Sequence, residues 1–154
     1  MILGRQNLHA LKALMLLAED PERWQSVADL ANRQQLPAAL LEQQLLRLRR
    51  AGLLQARRGR TGGYRLALAP QAIKLTAILQ ALRPSPGADA GESDPSAPGP
   101  DLDHAATDRV ATLLEHRLWR TLEQELNRCS LADLLHDLRS ARALLGEEGG
   151  WLLG

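Results

Sequence analysis

Apolar residues recur every three or four positions in the first part of the chain, which is the spacing of one helix face. The first such segment predicts a helix around residues 6–19, ended by Asp20 and Pro21. A short second helix is predicted to run as far as Gln34. Ser26 stands at its start as the expected N-cap residue.

A longer third helix is predicted over 37–50, with Pro37 in its first turn and Gly52 just beyond its end. The apolar residues predicted to face inward from this helix are Leu40, Leu41, Leu45 and Leu48. Residues 52–68 surround a glycine-rich turn, which predicts a two-stranded hairpin. A last helix is predicted over 71–82.

Helix, helix, short turn, helix and hairpin is the element order of a winged helix-turn-helix. The predicted fold class is therefore mainly α with a small β-hairpin wing. In that fold the helix after the short turn enters the major groove of DNA. The two-stranded wing can reach the neighbouring minor groove or the backbone.

The second half of the chain has a different composition. Five prolines and three glycines fall within 84–103, which predicts a flexible linker or loop. This linker would join an N-terminal domain, 1–83, to a helical unit, 104–145, and a mobile tail, 146–154. Ser130 is predicted to cap a short helix near the end of that helical unit.

A long helix in the second unit carries a continuous apolar stripe, and its other side is charged. The stripe consists of Ala106, Val110, Leu113, Leu114, Leu118, Leu122 and Leu126. A helix separated from its domain needs something to cover such a stripe, and a second copy of the chain is the simplest cover. We therefore expect a homodimer. The expected dimerisation residues are Val110, Leu114, Leu118 and Leu122.

The charges of the chain are segregated although its net charge is only +1. Residues 1–83 carry a net charge of +8 and residues 84–154 a net charge of −7. Between Glu42 and Asp89 there are nine Lys and Arg residues and no acidic residue. This distribution favours a polyanionic partner for the N-terminal part.

Three stretches resemble the IscR/NsrR/CymR superfamily of bacterial winged-helix transcription regulators. "SVADLANRQQLPAALLEQQLLRLRRAGLL" (26–54) resembles the helix-turn-helix of that family, and "RGRTGGYRLA" (58–67) resembles its wing. "HRLWRTLEQELNRCSLADLL" (116–135) resembles the end of its dimerisation helix. The resemblance spans about residues 1–140 and implies homodimers that bind palindromic operators.

The resemblance also assigns candidate DNA contacts. Gln43 can pair with adenine and Glu42 can accept from cytosine, whereas Ala38 and Ala39 can touch a thymine methyl or only lie near the backbone. Arg58 resembles the family residue that enters a minor groove, for which arginine is well suited. The full predicted DNA-binding set is Ser26, Ala38, Ala39, Glu42, Gln43, Arg47, Arg57, Arg58, Gly59, Arg60, Thr61 and Tyr64.

Two features depart from the family pattern. Arg60 and Thr61 replace the Pro and first Gly that the wing often has. Family members that hold an iron–sulfur cluster carry three closely spaced cysteines before the long helix, whereas this chain has only Cys129. Because such clusters are bound by thiolates, we expect no cluster and no other cofactor. His116 is a weak metal candidate, with His104, Asp103 or Glu115 as co-ligands, and Cys129 is expected to be a small buried residue.

The sequence contains no recognisable nucleophile–His–acid spacing and no phosphate loop, so we expect no enzyme activity. It has no apolar run as long as a membrane span. Since one cysteine permits no intrachain disulfide, the protein is expected in the cytoplasm. The function predicted is that of a DNA-binding regulator, most simply a repressor. The alternatives are a winged-helix module that binds a metabolic enzyme, or a metal-dependent sensor with non-cysteine ligands.

Overall fold

The computed structural model describes residues 4–83 and 102–150, with side chains described as far as residue 146. Eight regular elements follow one another in the described residues. They are α1 (Arg5–Glu19), α2 (Val27–Gln34), α3 (Ala38–Arg50), β1 (Leu54–Arg57), β2 (Gly63–Leu66), α4 (Leu75–Leu82), α5 (Leu102–Leu126) and α6 (Leu131–Gly150). The architecture is mainly α with one hairpin, as the sequence predicts.

Helices α2 and α3 form the helix-turn-helix. Ser26 caps α2 as predicted, since its Oγ accepts a hydrogen bond from the backbone N–H of Asp29 at 3.0 Å. The turn between the two helices passes through Gln35, which has a left-handed conformation with φ of 54°. Its N–H and that of Leu36 bond back to carbonyls of α2, which ends that helix and redirects the chain into α3.

The hydrophobic core lies where α1, α2, α3 and the hairpin meet, and it is built mainly from leucine and alanine. Leu41, Leu45 and Leu48 of α3 are buried as predicted. The prediction for Leu40 is wrong, because that side chain is 46% exposed at the edge of the buried face. Gln44 lies nearer the centre of this face and is 2% exposed, with its Nε2 donating to Oε1 of Gln6 at 3.2 Å.

The wing is an antiparallel hairpin in which Leu54 is opposite Leu66 and Arg57 is opposite Gly63. A third backbone segment extends it, since Gln25 pairs with Tyr64 on the other side of β2. The N–H of Tyr64 donates to the Gln25 carbonyl at 2.8 Å, and the N–H of Gln25 donates back at 3.0 Å. The residue that precedes the helix-turn-helix is thereby joined to the wing.

The helix predicted over 71–82 begins later, at Leu75. A short 3₁₀ turn, Pro70–Ala72, precedes it, and Ile73 and Lys74 are extended. The reason is a long-range pairing: Leu131 N–H donates to the Ile73 carbonyl, and Leu75 N–H donates to the Cys129 carbonyl. The Ile73 carbonyl and the Leu75 N–H therefore bond to the turn between α5 and α6, so the helix begins only at Leu75.

Within the described residues, helix α5 contacts the N-terminal domain through its C-terminal half. Thr76 donates to Asn127 Oδ1, just after α5, at 2.5 Å, and Gln80 donates to Glu123 at 2.8 Å. The helix begins at Leu102, two residues inside the predicted linker, and the rest of that linker lies outside the described residues.

Helix α6 packs against α1 through Leu131, Leu134, Leu135 and Leu138. Ser130 is its N-cap as predicted, and the carboxylate of Asp133 accepts from both the backbone N–H and the hydroxyl of Ser130. These bonds lower the pKa of Asp133. Two length predictions are wrong, since α6 is not short and continues through residues 146–150 of the predicted tail. Residues 151–154 lie outside the described residues. Within the described residues, no helix combines the length and apolarity that crossing a bilayer requires.

Candidate nucleic-acid interface

The outer face of α3 presents small and polar side chains. Ala38, Ala39, Glu42 and Gln43 are all exposed, and they lie opposite the leucines that bury the helix in the core. This arrangement puts two hydrogen-bonding side chains and two small residues on one open face, which can approach base edges closely. Arg47 is half-buried further along α3, whereas Arg49 and Arg50 are exposed at its end.

Glycine determines the shape of the wing base. Gly63 has φ of +136°, a conformation that other residues rarely adopt, and a β-carbon there would overlap the carbonyl oxygen of Gln25. A β-carbon at Gly62 would likewise overlap the carbonyl oxygen of Arg57. The backbone at 62–63 is therefore packed too closely for any other residue, and this packing holds the tip in place.

The wing tip carries two exposed arginines. Arg58 and Arg60 are exposed, and neither makes a hydrogen bond or ion pair with another residue within 4–83 or 102–146. Gly59, between them, has φ of +106° and open space around it. Thr61 is also exposed. These four residues form the accessible tip of the wing.

Arg57 is exposed but does not extend freely from the wing. Its Nη2 donates to the Thr61 carbonyl across the turn at 2.6 Å, and its guanidinium lies 4.6 Å from the ring centre of Trp24. Arg65 approaches the same ring at 4.5 Å. The structure therefore gives Arg57 intramolecular partners, which distinguishes it from Arg58 and Arg60.

Tyr64 requires a correction, because its ring is part of the core and only 7% exposed. Burial raises the pKa of the Tyr64 hydroxyl, and the nearby carboxylate of Glu42 raises it further. We therefore remove Tyr64 from the candidate contacts. Ser26 is half-buried and its Oγ is occupied as the α2 cap, which leaves its backbone and remaining surface for any contact.

A chain of polar contacts connects α6 to the base of the wing. The carboxylate of Glu19 accepts from Arg142 of α6 and from Arg33 of α2, the second at 3.1 Å. Arg33 also donates to the side chain of Gln25 at 3.3 Å, whose backbone pairs with β2. Burial raises the pKa of Glu19, but the hydrogen bonds and charges of Arg142 and Arg33 outweigh it and lower the pKa overall.

The residues considered as metal ligands do not converge. His116 and His104 lie twelve positions apart on α5, which separates them by about 18 Å along the helix axis. Within the described part of the chain, no three His, Cys, Asp or Glu residues are grouped as a metal site would require. Cys129 is exposed, so the expectation that it is buried is wrong. Its turn before α6 directs the backbone carbonyl, and not the thiol, into the structure.

Sequence reasoning missed the residues that support the wing from outside it. Trp24, Gln25 and Glu19 contact wing or helix residues that are distant in the sequence, and no local pattern marks such pairs.

Comparison with known proteins gives a consistent result. Over residues 4–137 the chain matches Rrf2, described as an iron-dependent transcriptional regulator. It is 38% identical over 148 residues to slr0846 of Synechocystis sp., named as an HTH-type transcriptional regulator, and the match covers 96% of both chains. T. potens IscR superposes with a TM-score of 0.64 at 29% identity, over 90% of this chain and 88% of that one. CymR, the global cysteine regulator of B. subtilis, does so with a TM-score of 0.59 at 27% identity, over 86% and 95%. All of these relatives are regulators and not enzymes.

Proposed function

Because the chain belongs to the Rrf2 family of transcriptional regulators, we propose that it is a homodimeric, sequence-specific DNA-binding repressor. Family membership supports DNA binding and transcription regulation. The homodimer, the palindromic operator and the repressing role are the proposed refinements. Repression requires only that a bound dimer obstruct a promoter.

The observation that carries the proposal is that the fold presents both an exposed polar face on α3 and an exposed, arginine-bearing wing tip. Ala38, Ala39, Glu42 and Gln43 are exposed on α3. Arg58 and Arg60 are exposed on the wing and lack partners among the described residues. We propose that α3 reads base edges in the major groove while the two arginines contact the adjacent backbone and minor groove. Arg47, Gly59, Thr61 and the Ser26 backbone would complete the contact surface.

The proposed dimer rests on the exposed apolar stripe of α5. Val110, Leu114 and Leu118 are 66%, 56% and 58% exposed, although each is a large apolar side chain. Leu113 is also exposed, and Leu122 is half-buried. Contiguous apolar surface of this kind on a monomer marks an interaction site. A two-fold pairing of the stripe would cover it and would set two copies of α3 at a fixed spacing.

The family description implies iron, but the side chains of this chain do not fit a cysteine-ligated iron–sulfur cluster. The sequence supplies one cysteine, and that residue is exposed in the turn before α6. A cluster held within one subunit needs several thiolates. We therefore propose that the protein binds DNA and regulates transcription without a cysteine-ligated cluster.

Selection of DNA duplexes from a random-sequence pool by the purified protein tests this function. We expect enrichment of a two-fold symmetric motif whose half-sites are about 10 bp apart, or a multiple of that distance. Chromatin immunoprecipitation in the native host should recover the same motif. Enrichment of no duplex would reject the proposal, and a stable complex with another protein in its place would favour the interaction-module alternative.

A further inference from the structure

Trp24 lies against two arginines that come from different strands of the wing. The guanidinium carbon of Arg57 on β1 is 4.6 Å from the ring centre, and that of Arg65 on β2 is 4.5 Å away. Both distances are within the range of a cation–π contact, for which tryptophan is the best aromatic partner. One indole ring therefore contacts both strands of the hairpin.

The hairpin register explains how one ring reaches both arginines. Arg57 and Gln55 point to the same face of β1, and Gln55 is directly opposite Arg65 on β2. Leu54, Tyr64 and Leu66 occupy the other face and are buried in the core. Gln25 pairs with Tyr64, so the residue before it, Trp24, lies beside the outer face of the hairpin.

Both arginines are fixed by additional contacts. Arg57 donates to the Thr61 carbonyl at 2.6 Å, which closes the turn. Arg65 donates through Nε to Gln55 Oε1 at 3.1 Å and lies 3.7 Å from the carboxylate of Glu22. Arg58 and Arg60 have no such partners within the described residues.

We propose that Trp24 is a positioning residue that holds Arg57 and Arg65 on the wing and thereby orders its tip. It divides the wing arginines into two classes. Arg57 and Arg65 maintain the shape of the hairpin, whereas Arg58 and Arg60 contact the DNA backbone and minor groove. The part of the proposal that assigns Arg58 and Arg60 to DNA contact, the DNA-contact half, rests on the proposed function. The part that assigns Trp24 to ordering the wing tip, the ordering half, concerns the free protein alone.

Hydrogen exchange in the free protein tests the ordering half. The informative amides are Gly62, which donates to the Gly59 carbonyl, and Tyr64, which donates to Gln25. A single exposed cation–π contact corresponds to roughly a two- to fivefold effect on an equilibrium, so loss of both in Trp24→Leu should speed exchange about fivefold or more. Trp24→Phe retains an aromatic face. The logarithm of its exchange rate should therefore rise by no more than half of the rise in Trp24→Leu.

Trp119 provides a matched control within the same chain. Its ring lies 4.4 Å from the guanidinium of Arg83, away from the wing, so Trp119→Leu removes an equivalent contact. Wing exchange in Trp119→Leu should equal that of the unaltered protein. If Trp24→Leu also left the exchange unchanged, or if Trp24→Phe were as fast as Trp24→Leu, the proposed hold on the arginines would be overturned.

The salt dependence of binding to a duplex selected by the unaltered protein tests the division of the arginines. Each phosphate contact contributes about 0.9 to the slope of log K against log salt, so Arg58→Ala should lower the slope by about 1.8 per dimer. Arg57→Ala should weaken binding several-fold with little change in slope. Trp24→Leu should do the same, because it releases the same arginine together with Arg65. An equal loss of slope in Arg57→Ala and Arg58→Ala would overturn the division. If the unaltered chain selected no duplex, the proposed function would fail, while the exchange comparison would still decide whether Trp24 orders the wing.

Discussion

Gly63 lies so close to the backbone of Gln25 that a β-carbon at position 63 would overlap the Gln25 carbonyl oxygen. The same two segments exchange backbone hydrogen bonds through Tyr64. The close approach joins the wing to the start of the helix-turn-helix. The relative position of the two proposed DNA-reading elements therefore depends on a residue without a side chain.

Replacement of Gly63 by alanine should lower the stability of the fold. The change adds a steric overlap to a positive φ of 136°, and strain of this kind costs about 1–3 kcal/mol or more. Urea unfolding followed by circular dichroism measures the loss. Gly59→Ala is the matched comparison, because Gly59 also has a positive φ but no neighbouring atom within 4 Å. A loss as large at position 59 would show that only the backbone angle matters.

Glu19 should make the stability of the protein sensitive to acid. Its pKa is lower in the folded chain than the usual 4.5, so the folded state binds fewer protons than the unfolded state. The stabilisation is present above about pH 4.5 and is lost as the pH falls through the folded-state pKa. Glu19→Gln should cost about 1 kcal/mol at pH 7, since the partner arginines are half-exposed.

The pH dependence separates this effect from general acid denaturation. As the pH falls below the folded-state pKa of Glu19, the free energies of unfolding of Glu19→Gln and the unaltered protein should converge. Glu22→Gln is the control, because that carboxylate is 93% exposed and lies 3.7 Å from Arg65. It should change stability by less than about 0.5 kcal/mol at every pH. A constant difference between Glu19→Gln and the unaltered protein from pH 7 to pH 3 would contradict the role given to this carboxylate.

Substitution of the apolar stripe on α5 should dissociate the proposed dimer. Leu114→Glu would place an unpaired charge in the apolar contact at a cost of about 3 kcal/mol, which weakens dimerisation by roughly two orders of magnitude. Sedimentation equilibrium measures the change. Arg109→Gln is the control, because it changes the net charge by the same amount on the opposite side of α5. A monomeric unaltered protein, or equal behaviour of the two variants, would count against the stripe as the interface.

Gln43→Ala should relax the base specificity of DNA binding without changing the slope of log K against log salt. A good bidentate contact is worth about 1–3 kcal/mol of discrimination, whereas a neutral amide neutralises no phosphate. Competition between the selected duplex and single-base variants of it measures the discrimination. Gln71→Ala, an exposed glutamine in the 3₁₀ turn, should leave the profile unchanged. A uniform loss against all duplexes would assign Gln43 to backbone contact.

The helices of the N-terminal part could be predicted from the sequence because each carries a strong local signal. Ser26 caps α2 and Gly52, with φ of +77°, follows the end of α3, as expected. Residue type alone predicts that Leu40 faces inward and Gln44 does not, whereas burial on a helix depends on angular position. Gln44 is nearer the centre of the buried arc, and its Nε2 donates to Oε1 of Gln6.

The remaining errors arise from contacts between distant segments. Ile73 and Lys74 look helical locally, but the α5–α6 junction, more than fifty residues later, takes their backbone bonds. The wing arginines look alike in the sequence, yet Trp24 distinguishes Arg57 from Arg58. Residues 146–154 are predicted as a mobile tail, although α6 continues to Gly150.

The salt dependence of DNA binding tests the central claim most directly. Affinity for a selected duplex should be measured between about 50 and 200 mM salt. With roughly 6–10 phosphates neutralised per dimer, we predict a fall of about 10³–10⁵ over that range. An affinity that barely changed with salt would contradict the proposed DNA-binding mode, because the exposed arginines of the wing would then not contact DNA phosphates.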